Sequence, residues 1–310
     1  MDLHTRCGKV LDHGVAAGAI AHAKAVDQEK TGKGHALGWH CHLDKINKYS
    51  DKPAMIICAD DYGMRADIDR AILQLCDTRK LTAVSCMVLF ERCDAAVMEK
   101  IRTHESHVDL GLHFCLTNEN LPLSAPLGKI KLPEFGKLFR RALLRRLKHT
   151  EVSALLAAQY ELFLKKSGRT PDYIDGHLHS HQLPVVAGAL VDFVRQLPAG
   201  NRPYIRNTRL CTKELRQQKL PSLKAGFIGK FGERLEQRLH RAGIATNSGF
   251  SGIYDFKAWS RYPEFFPKFA ACLSEKNGIL VTHPGFDEDW RRSEFETLEK
   301  FSGGANRFIT

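Results

Sequence analysis

Short apolar runs recur along this chain, each followed by a stretch with helical spacing, and this alternation restricts the fold more than any other feature. "AMIICA" (54–59), "LTAVSCMVLF" (81–90), "VDLGLHF" (108–114), "PDYIDGH" (171–177), "PYIRN" (203–207) and "GILVTH" (278–283) read as strands. The first is apolar without a break, the pattern of a strand covered on both faces. After it, "RADIDRAILQLCDTRK" sets Ile68, Ala71, Ile72 and Leu75 at helical spacing. Further helices are expected over "AAVMEKIRTH" (95–104), over 151–167, after Pro184, through about 242, and near 261–275. Strand and helix in repeated succession require crossover connections, and so a largely parallel sheet. Seven or so strands over residues 53–310 suit an α/β fold of the distorted or incomplete TIM-like (β/α) barrel type. An open doubly wound sheet is the alternative; no GxGxxG follows the first strand, so a dinucleotide fold has no support.

The 310 residues, 43% of them hydrophobic, are enough for one large core. Nine cysteines form no CxxC pair, and Cys58, Cys86 and Cys115 sit inside apolar runs. That usage points to reduced core thiols and a cytoplasmic setting. No apolar run reaches the length of a membrane span, and "VAAGAIAHA" (15–23) is too short and poorly flanked for a secretory signal. Residues 1–52 read as a poorly ordered N-terminal extension, rich in histidine and without periodicity, so Met55 is a second candidate for the natural start. Residues 53–310 read as a single barrel domain with a basic insertion at about 119–150. The net charge of +11 invites a nucleic-acid reading. However, no zinc-finger spacing, RNP-like aromatic motif or helix-turn-helix accompanies it, and the charge concentrates in 129–148 and 202–241. Within the insertion, a helix would set Leu138, Phe139, Ala142, Leu143 and Leu147 on one side, with Arg140, Arg141, Arg145 and Arg146 largely elsewhere.

Chemistry collects where the strands end. Asp60 and Asp61 stand side by side after the first strand, where barrel enzymes place catalytic groups. Carboxylates that close raise each other's pKa unless a cation relieves them; a metal would do so, leaving one as ligand and the other as base. His113 ends the third strand, and "DGHLHSHQLP" carries Asp175, His177, His179 and His181 at two-residue spacing. If extended, all four point to one face. His283 ends the last strand, before Pro284 and Gly285. Histidine and carboxylate without clustered cysteine suit a catalytic rather than a closed structural ion site. No GxSxG elbow is present, which disfavours covalent nucleophilic catalysis.

Taken together, "ADDYG", "GLHFCLT", "GRTPDYIDGHLHSHQLP" and "THPG" resemble, in order and spacing, the YdjC-like carbohydrate deacetylases. The resemblance implies a distorted TIM-like barrel and one divalent ion, Mg²⁺ or Zn²⁺, on Asp61, His113 and His177. It further implies Asp60 as base and His283 as acid in the removal of an N-acetyl group from an amino sugar. His179 and His181 then support the site or bind sugar, Asp175 orients a histidine, and Arg206 reaches toward the cleft. The expected substrate is an N-acetylated sugar or glycolipid, and no nucleic acid is expected. Peripheral membrane contact through 136–149 and a homodimer are further arrangements the chain allows. Two rival readings are a metal-dependent phosphoesterase, which would need more cations at the strand ends, and a basic nucleic-acid-binding protein.

Overall fold

A computed structural model describes residues 55–210, 223–273 and 277–301. The N-terminal extension and the Met55 start expected above lie outside the described residues, apart from Met55 itself, which opens the first strand. Seven strands form one sheet in the order β5-β4-β3-β2-β1-β7-β6, every neighbouring pair parallel. They are β1 (Met55–Tyr62), β2 (Ala83–Cys86), β3 (Asp109–Phe114), β4 (Tyr173–Gly176), β5 (Tyr204–Ile205), β6 (Gly249–Ser251) and β7 (Gly278–Thr282). The sheet curls until its edges meet. Ile205 N–H donates to Ala245 O at 2.9 Å, and Phe250 N–H donates to Arg209 O at 3.0 Å, across isolated parallel bridges. The architecture is an incomplete TIM-like barrel, as the strand–helix alternation predicts.

The helices are α1 (Ala66–Asp77), α2 (Ala95–Arg102), α3 (Phe135–Leu143), α4 (His149–Ser167), α5 (Val186–Gln196), α6 (Leu223–Ala242), α7 (Tyr262–Cys272) and α8 (Asp289–Lys300). Helix α1 buries Ile68, Ala71, Ile72 and Leu75, the face its spacing predicts. Helix α4 stops at Gly168, whose φ of 68° suits the left-handed cap and whose N–H reaches Leu164 O. Among the described residues no helix is long and apolar enough to cross a membrane.

Strand alternation sorts the core into two layers. Ile57, Ala59, Val84, Leu110, Leu112 and Ile174 face the helices, whereas Ile56, Cys58, Ala83, Tyr173, Phe250 and Val281 fill the barrel. Tyr173 lies across this interior because Gly111 has no side chain: a Cβ there would sit 2.3 Å from the Tyr173 ring. The phenol then bonds Ser85 Oγ at 2.8 Å and lies 3.2 Å from Cys58 Sγ. This packed floor supports the polar groups above it.

Three differences from the sequence reading have local causes. The second strand is Ala83–Cys86 alone, since Met87–Phe90 leave the sheet in a turn while staying buried. β6, in "NSGFSGIY", was not anticipated; its glycines and serines give no apolar run, and Gly252 (φ 103°) turns the chain immediately after it. "HLHSHQ" is coiled rather than extended: Leu178 and His179 take left-handed φ values of 53° and 55°. Two-residue spacing therefore does not bring all three histidines to one face, and His181 is turned away from His177 and His179.

The Gly111–Tyr173 contact generates a stability prediction. Gly111→Ala must push the ring out of its place, and overpacking of this kind typically costs about 1–3 kcal/mol. Urea unfolding should show that loss, and an unchanged midpoint would mean that the ring is free to move.

Candidate active site

Adjacent residues of a regular strand point to opposite faces, so Asp60 and Asp61 need a break in β1 to share one site. The pairing of β1 with β2 shifts between Ala59 and Tyr62, and Asp61 takes a φ of 73°. Asp60 keeps the inward direction of Ile56 and Cys58, and the turned backbone brings Asp61 round beside it. Gly63, at φ 90°, completes the bend; a Cβ there would meet Cys93 Sγ at 2.5 Å. Both carboxylates are almost fully buried at the floor of a cavity of about 470 Å³.

Each carboxylate has its own guanidinium. Arg206, directly after β5 and with no solvent exposure, makes two 2.7 Å bonds to Asp60 and lies 2.9 Å from Asp175 Oδ2. Arg291, on α8, donates to Asp61 Oδ2 at 2.7 Å. Burial raises the Asp60 carboxyl, but Arg206, His113 and His283 outweigh it and hold the group below the usual carboxylate range. For Asp61, burial is outweighed by Arg291, His113 and His177. Both stay ionised near neutral pH. The cation expected from the sequence is thus already supplied in part by two arginines.

His113 Nδ1–H donates to Asp175 Oδ1 at 2.6 Å, which turns Nε2 toward Asp61 Oδ1 at 3.5 Å. His177 Nδ1 is 3.1 Å from the same oxygen, and its Nε2 faces Glu119 Oε1 at 3.4 Å. Burial opposes charge on His113, but Asp175 and Asp60 push the imidazole up to about 9. Asp61, His113 and His177 present ligand atoms all within 4.8 Å of one another. Two imidazoles and a carboxylate, each imidazole held by a carboxylate on its far nitrogen, fit a divalent ion such as Zn²⁺. A second trio, Cys58, Asp60 and Asp175, is equally compact, but Arg206 sits among its ligand atoms and already compensates their charge.

His283 follows β7 and reaches over the carboxylates, with Nε2 3.9 Å from Asp60 Oδ2. Its position is fixed by Glu294, which is fully buried on α8. Glu294 accepts from His283 N–H at 2.5 Å, Thr282 Oγ1 at 2.7 Å and Tyr254 OH at 2.8 Å. His283 Nδ1 has no hydrogen bond and lies 3.8 Å from the same carboxylate.

The remaining predicted residues are distributed differently. His179 lines the cavity; burial and Arg206 press its pKa well below the ordinary value. His181 turns away from the cavity: its Nε2–H donates to Arg206 O at 2.7 Å, and burial lowers it to about 4. Asp175 bonds His113 Nδ1 at 2.6 Å. Arg206 holds Asp60 and Asp175 and is not part of the cavity wall. Sequence reasoning passed over Glu119, Arg291, Glu294 and Tyr254. Only Glu119 had a usable signal, as an acid in "LTNEN" soon after a histidine-ending strand. The cavity walls above the carboxylates are largely apolar, with Met64, Phe139, Ile253 and a stacked Phe256–Trp290 pair at 4.2 Å.

Removing one partner of a buried ion pair leaves the other uncompensated, a loss of about 3–5 kcal/mol. Arg206→Met should therefore destabilise the protein by that amount in chemical denaturation. Arg292→Gln, at an exposed position, should change stability by less than about 0.5 kcal/mol. Equal effects of the two would remove Arg206 from its central place.

Comparison with known proteins bears on family and fold. A "Chitooligosaccharide deacetylase" from Klebsiella pneumoniae (strain 342) is 30% identical over 187 residues, covering 60% of this chain and 72% of the relative. A solved structure from Enterococcus faecalis V583, of a proposed cellobiose-phosphate cleavage protein, superposes with a TM-score of 0.58 at 18% identity. It covers 82% of this chain and 93% of that one, and it bears on the fold alone. The family model described as "YdjC-like protein" matches residues 54–303, so this chain belongs to the YdjC-like family.

Proposed function

We propose that the protein is a metal-dependent hydrolase that removes the N-acetyl group from an amino sugar. The observation that carries this reading is the pairing of Asp60 and Asp61 beneath His283, beside the trio of Asp61, His113 and His177. A "Chitooligosaccharide deacetylase" among the relatives supports the same substrate class. In this reading Asp61, His113 and His177 hold one divalent ion, Mg²⁺ or Zn²⁺. Bound there, such an ion supplies Lewis-acid polarisation of the acetamide carbonyl and lowers the pKa of water to about 7.

The chain's own residues handle the protons. Asp60, kept ionised by Arg206, takes a proton from the attacking water at Oδ2. His283, across the cavity, gives a proton from Nε2 to the departing amine nitrogen. Water and the acetamide thereby become acetate and a free amine. Asp175 and Glu119 hold the imidazoles of His113 and His177 in the tautomers that face Asp61, and Arg291 fixes the second oxygen of Asp61. Glu294 anchors His283 through its backbone N–H, with its carboxylate 3.8 Å from Nδ1. The six described cysteines are all free and buried, in keeping with a reducing, cytoplasmic setting.

The phosphoesterase reading calls for cations free to meet phosphate. Among the described residues, Arg291 is the arginine or lysine lining the cavity, and Asp61 and Glu288 engage it. Sugar amide hydrolysis is therefore the reading the charges favour.

Acetate release from a panel of N-acetylated sugars, with and without added Mg²⁺ or Zn²⁺, tests the reading. Metal-stimulated acetate is expected; its absence across the panel, or phosphate release from sugar phosphates instead, would overturn it. Asp60→Asn and His283→Gln should each lower kcat by about 10²–10⁴-fold while keeping the bound ion. His113→Ala and His177→Ala should lose the ion yet stay folded, as elemental analysis and circular dichroism would show. Glu294→Gln should reduce kcat and leave KM in place; a change in KM alone would make it part of the sugar site.

A further inference from the structure

Helix α3 carries apolar surface that the barrel leaves uncovered. Leu138 and Ala142 are buried against the domain. Phe135 and Leu143, eight residues apart on one side of the helix, form an adjoining stripe, while Phe139 between them packs against the core. In that stripe Phe135 is 37% exposed and Leu143 44%, and Leu144, just past the helix, is 55% exposed. Of the apolar side read from the sequence, Leu138 and Ala142 are buried and Leu143 is exposed. Phe135 and Leu178, itself 45% exposed, also line the catalytic cavity, so together they mark its mouth.

Charge accompanies the stripe. From Phe135 to Lys148 the sequence has six cations and no acidic residue. Lys137, Arg140, Arg145 and Arg146 are exposed and form no ion pair with a carboxylate among the described residues. An exposed apolar stripe set among unneutralised cations matches the boundary of an anionic bilayer, which takes up both at once. A nucleic acid would use the cations and leave Leu143 and Leu144 in water.

We propose that α3 and the turn after it seat the protein on an anionic lipid surface with the cavity mouth toward the bilayer. The substrate is then an N-acetylated amino sugar carried on a lipid. The apolar walls above the carboxylates, Met64, Phe139 and Ile253 among them, suit the part of such a lipid next to its sugar. The substrate half of this proposal rests on the deacetylase reading; the docking half does not.

The test uses the full chain with vesicles of phosphatidylglycerol or of phosphatidylcholine. Sedimentation with the anionic vesicles only is expected. R140Q/R145Q/R146Q should weaken that binding by roughly 100-fold, at about fivefold per charge. L143S/L144S should weaken it by roughly tenfold or more. Both variants should keep the wild-type melting temperature and release acetate from a soluble N-acetylated disaccharide at the wild-type rate. Equal binding to both vesicle types, or full binding by both variants, would overturn the docking. So would tight RNA binding that the leucine variant retains while vesicle binding is absent. Acetate from the soluble sugar but none from an N-acetylglucosaminyl lipid in anionic vesicles would overturn the lipid-linked substrate. Acetate from neither substrate, with vesicle binding intact, would overturn the deacetylase reading and leave the docking standing.

Discussion

Burying two neighbouring carboxylates beneath a barrel mouth is costly unless positive charge arrives with them, and the arrangement of this protein follows from how that charge is supplied. Asp60 meets Arg206 with two 2.7 Å bonds, and Asp61 meets Arg291 with one. Transfer of unpaired ions to such a setting costs several kcal/mol each even after relaxation. The two arginines therefore do more than decorate the site. Arg206 ties the end of β5 to the ends of β1 and β4, and Arg291 ties α8 back to β1. The barrel is incomplete, and these contacts, with the bridges from Ile205 and Phe250, hold its two edges in place.

The same charges divide the site. Two compact trios lie within the barrel, and they differ in what occupies their centre. Around Cys58, Asp60 and Asp175 a guanidinium is already present. Around Asp61, His113 and His177, Asp175 and Glu119 lie behind the imidazoles, and the ligand atoms are close enough that they could hold an ion. A chain of contacts from Tyr173 through Ser85 to Asp175 links the packed floor at Gly111 to the His113 imidazole. Above this floor the walls turn apolar and lead to α3. Polar chemistry at the base, apolar walls and a basic apolar lip form one path. That continuity connects the catalytic reading with the surface reading, although each is tested separately.

Much of this was legible in the linear chain. A strand buried on both faces must be apolar throughout, so "AMIICA" and "GILVTH" declare themselves locally, and "ADDYG" marks the end of the first. The faces of α1 and the place of His113 and His283 at strand ends follow from the same local rules. β6 escaped notice because three residues rich in glycine and serine carry no pattern to read. His181 parted from His177 and His179, which both line the cavity, because Leu178 and His179 adopt left-handed conformations that spacing does not reveal.

The sequence by itself determined the alternation of strand and helix, the parallel sheet, and the set of acids and histidines gathered at one end of it. Each of these is written within a few consecutive residues, as periodicity or as position after an apolar run. Tertiary structure alone decided the partners. Arg291 is 230 positions from Asp61, and Arg206 is 146 from Asp60. Glu294 reaches Tyr254 and His283 from a helix with no motif, and α3 places Phe135 at the cavity mouth. Electrostatic compensation and packing act through space, and a folded chain brings together residues whose order along the sequence carries no trace of that proximity.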